Sequence, residues 1–92
     1  MPMATVSIIT KLMPDAPDAD LGKIKETAQQ ELQALGARNL SMEEKPIAFG
    51  LKAIMIKFDL NEEKGTEIVE QTLSKIEHVS SATIDDYRRA FG

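Results

Sequence analysis

The sequence predicts an α+β sandwich with elements in the order strand, helix, strand, strand, helix, strand. Three observations carry the prediction: segments whose apolar residues alternate, two segments whose apolar residues recur at three and four, and a proline-glycine turn between the halves.

The first strand runs from Thr5 to Leu12, with Val6, Ile8, Thr10 and Leu12 on one face and Thr5, Ser7, Ile9 and Lys11 on the other. Met13-Pro14 ends it. In "PDAPDADLGKIKETAQQELQALG", Leu21, Ile24, Ala28, Leu32 and Leu35 form one helical stripe opposite Lys23, Glu26, Gln30 and Gln33. Gly36 stands where a helix C-terminal cap belongs.

Leu40 and Met42 then repeat at period two before Pro46, and in "LKAIMIKFDL" Ile54, Ile56 and Phe58 alternate with Ala53, Met55 and Lys57. These two strands flank a turn from Pro46 to Gly50. Beyond "NEEKG", Ile68, Val69, Thr72, Leu73 and Ile76 give a second amphipathic helix starting near Gly65-Thr66. "SSATIDDYRR" closes the chain as a strand centred on Ala82 and Ile84.

Two βαβ halves joined by the turn make a ferredoxin-like α/β sandwich. Right-handed crossovers put both helices on one face of a four-stranded antiparallel sheet, so the other face meets solvent or a partner. A chain of 92 residues suits a single domain over 1–92, since burial is too limited for two cores.

An apolar fraction of 42% with 28% charge is that of a chain that folds, not of a disordered tail or a collagen-like repeat. The absence of cysteine excludes disulfides, thiolate metal sites and a cysteine nucleophile. With no long apolar run and no signal-peptide organisation at its start, the chain reads as a soluble cytoplasmic protein without membrane contact. The net charge of −4 opposes direct nucleic-acid binding and favours a partner surface of basic character.

Candidate motifs mostly resolve into structure. Asp15, Asp18 and Asp20 lack the alternate spacing, glycine and terminal glutamate of a calcium loop, and helix capping accounts for them. "NEEKGTE" has its lysine before the glycine and no earlier glycine, so it builds no phosphate cradle. His78 is the only histidine and reads as a solvated connector, which leaves no metal site or catalytic triad. Met42 and Met55 suit packing, and no carboxylates are paired for acid-base work. Nothing specifies an enzyme or a resident cofactor. RNA-recognition modules share the topology but stack bases on sheet aromatics, and that aromatic, glycine-rich pattern is missing.

Two features remain. Phe49, one of only three phenylalanines, stands on the Pro46 to Gly50 turn. Pattern leaves it open between a lid folded over the sheet's end and an anchor for a partner. Arg88 and Arg89 near the end are open between solubilising charges and a cationic contact.

"PIAFGLKA" followed by a strand, then "KGTE", and the closing "HVSSATIDDYRR" resemble the guanine-nucleotide-exchange domain of elongation factor 1-beta, above all its short archaeal form. The resemblance covers nearly the whole chain, and "PIAFGLK" is its most specific part. It implies the fold derived above and a partner, the GTPase elongation factor 1-alpha, which itself binds GDP or GTP and magnesium. It implies that Phe49, framed by Pro46 and Gly50, inserts into the GTPase domain of that partner. Arg89, with Arg88 beside it, matches a terminal basic position that is a lysine in eukaryotic members and intrudes where magnesium meets the phosphates. Arginine forks across oxygens where lysine is a point charge, so either Arg88 or Arg89 is the acting group. The alternatives from the residues alone are a regulatory ligand-binding module on the same fold, dimeric through its open sheet, or a weak RNA-binding module.

Overall fold

The computed structural model describes residues 5–90. Strand β1 covers Thr5–Pro14, helix α1 Leu21–Ala34, strand β2 Arg38–Pro46, strand β3 Lys52–Asn61, helix α2 Thr66–Ser74 and strand β4 Val79–Ala90. The sheet order is β2-β3-β1-β4, and every neighbouring pair is antiparallel. This is the ferredoxin-like α+β arrangement that the periodicities predict.

The core lies where alternation and helical stripes point at one another. Val6, Ile8 and Leu12 of β1 and Ile54, Ile56, Phe58 and Leu60 of β3 pack against Ile24, Ala28 and Leu32 of α1 and Val69 and Leu73 of α2. Among the described residues Thr10 is the one buried polar side chain, and its hydroxyl donates to the Ile56 carbonyl at 3.4 Å. That contact removes the cost of an unsatisfied hydroxyl in an apolar layer.

Local signals fix the ends of α1. The Asp20 carboxylate accepts from the Lys23 N–H at 3.1 Å, so of the three aspartates in the preceding loop this one is the cap. Asp15 instead lies 3.5 Å from His78, whose other ring nitrogen faces Glu77 at the same distance. At the far end Gly36 adopts φ 95°, its N–H donates to Gln33 and the Ala37 N–H donates to Leu32, each at 3.0 Å. This pair of bonds is a Schellman cap, and it needs the left-handed conformation that glycine takes without strain.

The second stripe is narrower than its sequence suggests. Val69, Leu73 and Ile76 are buried, while Ile68 stays exposed on the flank of α2. Strand β2 is an exposed edge, and Glu43, Glu44, Lys45 and Pro46 along it discourage pairing with another chain.

Candidate functional site

The turn between β2 and β3 is closed by the Ile47 N–H donating to the Leu51 carbonyl at 2.8 Å and the Leu51 N–H donating to Ala48 at 3.3 Å. Inside that loop Phe49 and Gly50 are both left-handed, with φ 63° and 75°. Glycine adopts this at no cost, whereas a side chain with a Cβ pays about 1–2 kcal/mol. The strained residue is the aromatic one, and it is 94% exposed. Phe49 therefore covers nothing in the isolated chain, and the sheet's end is closed without it. Pro46, the last residue of β2, pairs with Lys52 across the base of the turn, and it sits on an edge where its missing N–H costs no ladder bond.

The arginines lie elsewhere. On β4, Ala82 and Ile84 stand opposite Leu12 and Thr10, on the helix-covered face. Strict alternation beyond Ile84 would turn Asp86 and Arg88 toward that face. The register shifts between Ile9 and Thr10 instead, leaving Asp85 as the extra residue of a β-bulge. Asp86 then stands opposite Ile9 and Arg88 opposite Ser7 on the open face, while Tyr87 opposes Ile8 and Arg89 opposes Val6 on the helix side.

Their partners follow the same division. The Arg88 Nε donates to the Asp86 carboxylate at 2.9 Å, two residues away on its own strand. The Arg89 guanidinium donates to Glu62, in the 3-10 turn Glu62–Lys64 that follows β3. The two cations point to opposite faces of the sheet.

They are also far from Phe49. Arg89 is level with Val6 and Leu60, whereas the turn begins beyond Lys52. Eight residues of extended strand at roughly 3.3 Å each put about 26 Å between these levels. Pro46, Phe49 and Gly50 thus form one end of the molecule and the arginines the other.

The model of the EF-1 guanine nucleotide exchange domain matches residues 7–89. The chain belongs to that family. Relatives named elongation factor 1-beta agree over nearly their whole length. That of Methanothermobacter thermautotrophicus is 39% identical over 88 residues, 95% of this chain and 98% of its own. That of Methanocella arvoryzae is 40% identical over 90 residues, 97% of this chain and all of its own. That of Aeropyrum pernix is 38% identical over 89 residues, covering 95% and 98%. The role these matches support is guanine nucleotide exchange in translation elongation, in preference to a regulatory ligand-binding or RNA-binding module.

The rest of the exchange domain's surface offers less. A shallow groove on the open face between Ile9, Met55, Lys57 and Asp85 carries charges of both signs. Among the described residues no three histidine or acidic side chains are placed to hold a metal ion, and no helix is long and apolar enough to cross a membrane.

The bulge at Asp85 and the partner Glu62 are what sequence reading missed. A signal for the bulge existed in "IDDYRR", where unbroken alternation from Ile84 would turn one of two adjacent carboxylates toward the core. Glu62 carried none, because its contact is 27 residues distant along the chain.

Proposed function

We propose that the exchange domain accelerates GDP release from elongation factor 1-alpha by gripping it at two separate places, with Phe49 as an apolar anchor and Arg89 as the cation that disturbs the nucleotide's phosphate and magnesium environment. The observation that carries this reading is the 94% exposure of Phe49 at the tip of a left-handed turn, where its ring covers nothing within the fold. Strain retained at an exposed aromatic is characteristic of a binding position.

Exchange needs no covalent chemistry. A factor that binds the empty GTPase more tightly than the GDP-bound form lowers the affinity for GDP by the same ratio. Accelerating release by about 1000-fold requires about 4 kcal/mol. A buried aromatic anchor contributes about 2 kcal/mol or more. The remainder falls to the cationic end, since magnesium bridging the phosphates is a main holder of a bound nucleotide and belongs to the GTPase. The Arg89 guanidinium forks across phosphate or carboxylate oxygens.

Of the two arginines, Arg89 is the better fitted. It shares the helix side with its ion-pair partner on another element, while Arg88 is tied within its own strand on the open face. Separation of Phe49 from Arg89 by about 26 Å of strand means that the two enter different sites on the partner. Pro46 and Gly50 act by shaping the turn that presents Phe49. Direct RNA binding fits poorly, because no aromatic residue among those described lies on the open sheet face.

The test is release of a fluorescent GDP from the cognate GTPase with wild-type chain, Phe49→Ala and Arg89→Ala. Both variants should slow release while remaining folded. Wild-type rates in both would refute the assignment of these residues.

A further inference from the structure

We infer that Glu62 is a positioning residue for exchange: its carboxylate holds the Arg89 guanidinium in the orientation that the partner's anionic site receives. The inference rests on the role given to Arg89 under the proposed function. It adds a residue that neither motif nor match singled out.

Glu62 and Arg89 reach one another from different parts of the fold. Glu62 follows directly on Asn61, the last residue of the central strand β3, and Leu60 beside it is buried. Arg89 is delivered by the edge strand β4, on the far side of β1. Val6 pairs with Leu60 on one side and Arg89 on the other, so the ion pair spans the width of β1 at that level. It ties the edge strand to the rigid middle of the sheet.

The pair is a poor device for stability alone. Its side chains are 53% and 33% exposed, and an ion pair in such a setting contributes little to folding. Its value lies in direction. A long arginine side chain on an edge strand has many rotamers, and each is a separate orientation to be given up when, after docking, the guanidinium engages the partner's anionic site. A carboxylate on the turn directly after β3 selects one of them beforehand. The guanidinium has five N–H donors in a fixed fork, so Glu62 occupies part of it and leaves donors outward. Arg88 offers a contrast, since Asp86 moves with the same strand and fixes nothing relative to the rest of the molecule.

The experiment compares Glu62→Gln, Glu62→Ala, Arg89→Ala and the double variant Glu62→Gln/Arg89→Ala in a fluorescent-GDP release assay, titrated with each factor. Loss of preorganisation should lower the maximal release rate roughly threefold to tenfold in both Glu62 variants. The factor concentration at half-maximal rate should change little, and melting temperature should stay near wild type. In the Arg89→Ala background, Glu62→Gln should have no further effect on release, and the unchanged melting temperature separates this coupling from a merely structural ion pair. Rates at or above wild type for the Glu62 variants, or an undiminished Glu62 effect without Arg89, would overturn the inference while leaving Arg89's role intact. A wild-type rate for Arg89→Ala would remove its premise and that role together.

Discussion

Replacing Phe49 by alanine should separate binding from folding almost completely. The ring is 94% exposed, so its removal takes away no packing, and the altered chain should melt within about 0.5 kcal/mol of the wild type. For a chain of this size that is a shift of under about 4 °C. The proposed anchoring buries the same ring on the partner, and full burial of a phenylalanine side chain is worth about 1.5–3 kcal/mol. At a fixed factor concentration well below saturation, GDP release should therefore slow by about 10- to 150-fold. Phe49→Gly refines the test, because glycine relieves the strain at φ 63° while losing the same ring. It should match Phe49→Ala in exchange and melt no lower. A drop of many degrees in Phe49→Ala with unchanged exchange would show that the ring packs on the fold, and the reasoning would fail.

Other substitutions probe the scaffold. Phe58→Ala empties the centre of the core and should cost about 3–5 kcal/mol, seen as a large fall in the urea midpoint. Asp20→Ala removes the cap on the Lys23 N–H and should cost about 1 kcal/mol, a lowering of roughly 4–8 °C on a thermal melt. A third test uses acid. The hydrogen bond from Lys25 to Glu44, then the charges of Lys25 and Lys52, hold the Glu44 carboxyl below the ordinary glutamate range. The folded-state value is the lower one, so the pair's contribution is present above the unfolded value and is lost as pH falls through the folded one. Glu44→Gln should accordingly flatten the acid side of the stability curve, and an unchanged acid slope would show that the exposed pair contributes nothing.

The fold was legible because its signals were local and agreed with one another. Period two in β1 and β3, period near 3.6 in α1, and Gly36 at a helix end each correspond to an element in place. Ile68 falls at the exposed edge of the stripe because adjacent helical residues point about 100° apart and Val69 takes the core-facing direction. The site was legible only in part. Sequence could name Phe49 but not exclude a lid, since whether the ring folds back depends on the backbone of the turn. It could name Arg88 and Arg89 but not tell them apart, since one extra residue at Asp85 reverses which of them joins the helix side. Nor could it show that the arginines and Phe49 stand at opposite ends, which follows from antiparallel register across three strands.

The most direct test of exchange by coupling is the sign of the nucleotide's effect on the complex. Nucleotide-free elongation factor 1-alpha immobilised on a surface should hold this chain, and added GDP with magnesium should release it, with a dissociation constant that rises as GDP is titrated. Retention of the chain at saturating GDP, with the affinity unchanged, would contradict the account, because a factor indifferent to the nucleotide cannot expel it.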